Sequence, residues 1–278
     1  MKHLWERPLV HRLLRNQLAI ACWKPFSPLW NAAVNRFYRR GICKPVGPYT
    51  FRFSADHRRL STMHYAEEVN WMLQSFRPGQ CVFDVGANIG ITSLAFAKAV
   101  GPTGQVLAFE PSPDSFKSLK NQIHLNQLDS IITPLDYAVT NQPGFLEFWL
   151  SEDPYDMQHG PAAGSKDLRR KIEVQAITLD AFCAERQLRP DIIKIDVEGF
   201  EPLVLEGAVQ LIQNLPDLVF FVELHPWVWS SIGYDDQKVL ALFARLGLRA
   251  ETRDGSPMLT IPSREHVLLS RVRSQIDR

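Results

Sequence analysis

The chain has 278 residues, 45% hydrophobic and 22% charged, with a formal net charge of +1. That is the composition of an ordinary globular protein with ample core, read as one main domain behind an N-terminal extension. Four scattered cysteines (Cys22, Cys43, Cys81 and Cys183) show neither C-x-x-C nor metal-ligand spacing, which excludes a disulfide scaffold and fits a reducing cytosol.

The charge is unevenly placed. Residues 1–59 hold 12 Lys and Arg against Glu6 and Asp56, leaving 19 basic and 28 acidic residues for the rest. Within residues 1–45, Leu9, Val10, Leu13, Leu14, Gln17 and Leu18 form a roughly helical apolar stripe among arginines, and Trp5, Trp23 and Trp30 add aromatic surface. Such a segment reads either as a helical extension packed on the acidic body or as a helix lying on a membrane surface or partner. Its longest apolar stretch, Leu18–Trp23, ends at Lys24-Pro25, too short to cross a bilayer and without a signal-peptide cleavage site. The expectation is a cytoplasmic protein, with peripheral membrane contact open to the basic N-terminus. The division is a basic, largely helical extension over 1–60 and a main domain over 61–278.

From Gln80 onward, strand and helix patterns alternate. Cys81–Val85 reads as a buried strand, Ile91–Val100 as a helix, and Val106–Glu110 as the next strand. Ser112-Pro113-Asp114 opens a helix whose apolar face is Phe116, Leu119 and Ile123. A third strand is expected within Ile131–Val139, and Phe145–Leu150 alternates like an extra one. Ser151–Arg170 is polar and reads as a long loop, either a selector of substrate through Asp153, Tyr155, Asp156 and His159 or a plain solvent loop. Strands at Ile172–Ala176, Asp191–Val197 and Asp217–Leu224 follow, with helices from Thr178, from Glu201 to Ile212 and over Gln237–Leu246. Asp254-Gly255 is expected to turn a terminal hairpin. Alternating βα units with near-continuous apolar strands imply an α/β fold with a mostly parallel, doubly wound sheet and an antiparallel C-terminal hairpin.

Ligands bind such sheets at the carboxyl ends of the strands. Asp84, Glu110, Asp136, Asp196 and Glu223 all fall there. After the first strand comes Asp84-Val85-Gly86-Ala87-Asn88-Ile89-Gly90, a tight turn into a helix start, and Glu110 ends the next strand where an acid can meet ribose hydroxyls. A dinucleotide loop needs a glycine where Asn88 stands, so that bare backbone can approach a pyrophosphate. An adenosine cofactor without phosphates, such as S-adenosylmethionine, has no such need. An NAD-type oxidoreductase and a non-catalytic binding module remain the alternatives. The acidic rim disfavours nucleic acid.

Several blocks together carry a family likeness. They are Val82–Gly90, Ala108-Phe-Glu-Pro-Ser-Pro113, Ala138-Val139 after Asp136, Thr178-Leu-Asp180, Ile193-Lys-Ile-Asp-Val-Glu-Gly199, Val204-Leu-Glu-Gly-Ala208 and Val222-Glu-Leu-His225. Over residues 80–225 the chain resembles the FkbM-type S-adenosylmethionine-dependent methyltransferases. The resemblance implies a class I methyltransferase (Rossmann-like) fold. Asp84, Gly86 and Asn88 would then line the methionine end of S-adenosylmethionine, with Gly90 also in the cofactor site, Glu110 at the ribose, and Asp136 near the adenine edge. It also implies O-methylation of a sugar or small secondary metabolite.

Methyl transfer to oxygen requires alignment of acceptor and methyl and removal of a hydroxyl proton. Asp196 and His225 are expected to flank the acceptor, one of them as general base, with Glu198 beside them. Alternatively, Asp196, Glu198 and Glu223 could hold a divalent ion that lowers the hydroxyl pKa. Lys194 is expected to make an internal ion pair.

Overall fold

A computed structural model describes residues 36–151, 169–262 and 265–272. The stripe and tryptophans of residues 1–35 lie outside them, as do Asp153, Tyr155, Asp156 and His159. Residues 42–53 form not helix but an antiparallel hairpin, β1 (Ile42–Val46) and β2 (Tyr49–Phe53). Val46, Phe51 and Phe53 share a buried cluster with Val69, Leu94 and Leu119 of the main body. Asn126 ties β2 down by accepting from Arg52 N at 2.8 Å. The alternation of Phe51 and Phe53 with polar residues is what makes this segment a half-buried strand. Helix α1 (Tyr65–Leu73) follows.

The central sheet runs β11 (Leu248–Glu251), β12 (Glu265–Arg271), β10 (Val219–Leu224), β9 (Ile192–Ile195), β3 (Cys81–Val85), β4 (Gln105–Phe109) and β5 (Ile132–Leu135). All strands are parallel except β12, which pairs antiparallel with both β10 and β11. Helices α2 (Ile91–Val100), α3 (Pro113–Leu125), α4 (Leu179–Arg186), α5 (Glu201–Glu206), α6 (Val209–Asn214), α7 (Pro226–Trp229) and α8 (Asp236–Arg245) complete the doubly wound arrangement. The class I methyltransferase layout expected from the resemblance is thus the observed one. The chain builds outward from β3 through β4 to β5, then returns to β9 on the other side of β3. Between β3 and β9 lies the switch point, where two loops part at the carboxyl ends of the strands.

Three local expectations are refined. The strand expected within Ile131–Val139 is β5, which ends at Leu135, while β6 (Ala138–Val139) joins β8 (Arg169–Ile177) and β7 (Gly144–Ser151) in a separate sheet. The stretch from Glu201 to Ile212 is two short helices that part where Ala208 leaves helical geometry at φ −124°, next to Gly207, whose Cβ, if present, would meet the Thr140 carbonyl oxygen at 2.2 Å. Asp254-Gly255 does turn the chain, with Gly255 N donating to Thr252 O at 2.9 Å, but the turn leads only to a bridge of Glu251 with Pro257. The terminal strand β12 begins farther on, pairs antiparallel with β11 as expected, and sits between β11 and β10. Among the described residues, no helix is long and apolar enough to cross a membrane.

Strand parity sorts the core. Phe83, Val85, Ile193 and Ile195 face one apolar layer, while Val82 and Ile192 face the other. On that second face, toward the carboxyl ends, charged residues replace apolar ones. Asp84 is in register with Lys194, and Glu223 with His266. A row of charge therefore runs across four adjacent strands under α1.

Candidate active site

The first loop is fixed by backbone. Gly86 N and Ala87 N both donate to Phe109 O, at 3.0 and 2.9 Å. Gly86 has φ of +80°, and a Cβ there would lie 1.8 Å from the carbonyl oxygen of Asp196. Only glycine lets the loop after β3 touch the loop after β9. Between them opens a cavity of about 640 Å³, counting its open mouth, lined by Gly86, Asn88, Glu110, Tyr137, Asp196 and Glu198 among others. Phe109, Phe148 and Leu146 supply apolar wall.

Glu110 is buried at 6% exposure. Its Oε2 accepts from Asn88 N and its Oε1 from Ser112 N, both at 2.8 Å. Burial pushes its carboxyl up to about 7, against the pull of those two N–H groups and of Lys194. Each oxygen keeps a lone pair for a further donor.

Asp84 does not line the cavity. It is fully buried beneath it, accepting from Thr92 Oγ1 at 2.8 Å and Ser93 Oγ at 2.5 Å at the start of α2, and facing Lys194 Nζ at 3.3 Å. Gly90 also lies outside the lining; it starts α2 with φ of +91° against Leu119. Asp136 is exposed, and its neighbour Tyr137 takes the place on the wall.

Lys194 joins the two loops. Its Nζ donates to Gly86 O at 3.0 Å and to Asp196 Oδ2 at 3.3 Å, besides pairing with Asp84. Burial alone would lower its pKa, but Asp196 and Asp84 outweigh it and hold the ammonium charged. Asp196 is half-buried, and burial raises its carboxyl against the opposing pull of Lys194.

Beyond Asp196 lies a second layer. His225 is fully buried, with Nε2 3.9 Å from Asp196 Oδ1, 3.5 Å from Glu198 Oε2 and 3.8 Å from Glu223 Oε1. Its Nδ1 is 2.8 Å from Glu201 Oε1, while Trp229 Nε1 and Gly199 N donate to the same carboxylate at 3.0 and 2.7 Å. Burial opposes the imidazolium, but Glu201, Asp196 and Glu198 raise the His225 pKa to about 9. Asp196, Glu198 and His225 thus lie together. Glu223 turns its Oε2 to His266 Nε2 at 3.2 Å, and that ring also meets Glu68 Oε1 at 3.1 Å.

Sequence reading missed Tyr137, Phe148, Glu68 and His266. Only the strand register and the folding of α1 over the sheet bring them in; no local motif marks them. Backbone strain would have been a signal had it been visible. Of the described non-glycine residues with positive φ, Asn88 (50°) and Glu198 (51°) line the cavity, whereas Gln127 and Gln187 sit at helix ends.

Residues 84–250 match the model of the methyltransferase FkbM domain. The chain is 24% identical to the hexuronic acid methyltransferase AglP of Haloferax volcanii over 80% of its own length and 87% of that protein. It is 31% identical to the 31-O-demethyl-FK506 methyltransferase FkbM of Streptomyces tacrolimicus over 48% of its length and 60% of that protein. A crystal structure of a methyltransferase FkbM from Methylobacillus flagellatus aligns at 16% identity with a TM-score of 0.45, over 74% of this chain and 51% of that one.

Proposed function

Because the chain belongs to the FkbM methyltransferase family and is an S-adenosylmethionine-dependent methyltransferase, we propose that it methylates a hydroxyl of a sugar or other small polyhydroxylated acceptor. The carrying observation is that one cavity holds a buried carboxylate, Glu110, at one end and the half-buried Asp196 beside it at the switch point. The residues present suit the cofactor. Glu110 offers lone pairs to two vicinal hydroxyls, Tyr137 offers a face to a flat base, and Asp196 and Glu198 suit a positively charged sulfur. Asn88 denies a pyrophosphate the bare backbone it needs. When bound, S-adenosylmethionine supplies a methyl group on that sulfur.

The chain's own residues do the rest. Gly86, Asn88 and Glu110 hold and orient the cofactor, and Asp84 acts from below by fixing Lys194 and the start of α2. Lys194 keeps the loops at Gly86 and Asp196 at fixed separation. Asp196 accepts the hydrogen bond of the acceptor hydroxyl and takes its proton as the new C–O bond forms. His225 stands behind Asp196 and limits its motion. The hairpin β7–β8 opens toward residues 152–168, which we assign to acceptor choice. A hexuronic acid is the first acceptor to try, because the relative matched along 87% of its length carries that name.

Labelled S-adenosylmethionine with a panel of hexuronic acids, neutral sugars and polyketide alcohols tests this. Asp196→Asn should lose turnover by about a hundredfold or more, while S-adenosylhomocysteine binds within a few-fold of wild type. Loss of cofactor binding in that variant would assign Asp196 to the cofactor instead. A preference for NAD over S-adenosylhomocysteine in calorimetry would refute the cofactor assignment.

A further inference from the structure

The carboxylates near Asp196 share a neighbour whose chemistry is left incomplete. His225 is fully buried, yet its Nε2 makes no hydrogen bond and faces Glu198, Asp196 and Glu223, of which Glu223 turns its other oxygen to His266. Glu201 accepts from Gly199 N and Trp229 Nε1 and can only accept from the imidazole, so Nδ1 carries a proton. In the neutral ring Nε2 then carries the lone pair, with these carboxylates within 4 Å of it. A carboxylate behind one imidazole nitrogen, with the other nitrogen aimed at acidic oxygens, is how proteins orient a histidine toward a metal.

We propose that Asp196, Glu198 and His225 bind one divalent first-row cation at the wall of the cavity, with Glu201 as the residue that orients the histidine. The three ligand atoms lie within 4.8 Å of one another. Around a cation at about 2.1 Å from each, neighbouring donors sit roughly 3 to 3.4 Å apart. The distances from Nε2 to Glu198 Oε2 and Asp196 Oδ1, 3.5 and 3.9 Å, need only a small closure. Both carboxylate side chains retain over a quarter of their exposure, so they can make it, whereas the histidine cannot move. Two carboxylate oxygens and one imidazole nitrogen favour Mn²⁺, Co²⁺ or Zn²⁺ over the all-oxygen preference of Ca²⁺.

Because Asp196 and Glu198 line the cavity, the cation's open positions face the acceptor. This role, though not the site, rests on the methyltransferase reading. One or two hydroxyl oxygens of a polyol would bind the cation, which orients them and makes the coordinated O–H easier to ionise, its proton leaving to water. Asp196 then serves as a ligand, and the proton no longer has to reside on it.

The test is Mn²⁺ binding to the full chain after dialysis against a chelator, followed by electron paramagnetic resonance. S-adenosylhomocysteine binding is measured on the same samples. One saturable Mn²⁺ site per chain is expected. Asp196→Asn and Glu198→Gln should each weaken it at least tenfold, and Glu201→Gln by about tenfold or more. Glu198→Gln, on the cavity surface, should melt like wild type in the chelated state, which separates lost ligation from lost folding. Absence of saturable Mn²⁺ binding to wild type, with or without S-adenosylhomocysteine, would overturn the proposal. So would equal binding by Glu198→Gln, because the imidazolium would then be what neutralises these carboxylates. Failure of S-adenosylhomocysteine to bind would count against the methyltransferase reading and leave the metal result standing by itself.

Discussion

Glu110 sets two pH dependences of opposite sign. Its carboxyl is raised from 4.5 to about 7 in the folded protein. A carboxyl with a higher pKa folded than unfolded holds its proton more tightly when folded. Its contribution to stability is therefore full below pH 4.5 and lost as pH rises toward 7. At about 1.4 kcal/mol per pKa unit, the loss is on the order of 3 kcal/mol. With Glu110 on the ribose, as proposed, cofactor binding runs the other way, because only the carboxylate offers both oxygens to the hydroxyls. Between pH 6 and pH 8 the ionised fraction climbs roughly tenfold, so S-adenosylhomocysteine should bind about tenfold more tightly at pH 8. Glu110→Gln should bind more weakly than wild type at pH 8 and lose most of this slope. Calorimetric titrations at pH 6, 7 and 8 on both proteins measure it. Equal wild-type affinities at pH 6 and 8, or the same slope in Glu110→Gln, would refute the assignment of Glu110 to the ribose.

Three further outcomes follow from the geometry. Gly86→Ala puts a Cβ against the Asp196 carbonyl and should lower stability by about 2–4 kcal/mol, seen as a reduced urea midpoint together with lost cofactor binding; an unchanged midpoint would mean that the two loops separate freely. Lys194→Met leaves Asp84 and Asp196 without their cation and should cost about 3–5 kcal/mol, with partial recovery on adding Asp84→Asn, read by thermal melting. In the His266 ring, burial opposes the charge but Glu223 and Glu68 raise the pKa to about 10. The stability gap between wild type and His266→Asn should thus be full below pH 6.5 and close as pH rises toward 10; melting curves across that range check it, and a gap that widens with pH would contradict the pairing.

Strand β3, its loop and the start of α2 were readable because their signals are local. A short apolar run, an acid and two glycines lie within ten residues, and each marks a conformation that its own backbone requires. Glu110 was found for the same reason, by spacing from that loop. The terminal pair of strands is present, but its connection is longer than Asp254-Gly255 suggested: that dipeptide makes a true turn, the returning strand β12 begins only at Glu265, and a turn does not say where in the sheet that strand settles. That choice fell to the open edge of β10, where Val267 and Leu269 could bury their side chains. Asp84 was taken for a cavity residue because it stands at a strand end. Its side-chain direction is set by parity, which sends it to the face that Lys194 shares.

The amino-acid sequence by itself determined the βα alternation, the glycine turn after β3, the acid at the end of β4 and the family. Each of these rests on a short local block, or on the order and spacing of such blocks along the chain. Tertiary structure alone decided the partnerships: Asp84 with Lys194, Gly86 against Asp196, His225 held by Glu201, and His266 between Glu223 and Glu68. The His225–Glu201 contact joins positions 24 residues apart, and the Gly86–Lys194 bond positions 108 apart. Such contacts depend on strand register and on which helix covers which face, and these are properties of the packed sheet rather than of any segment in it.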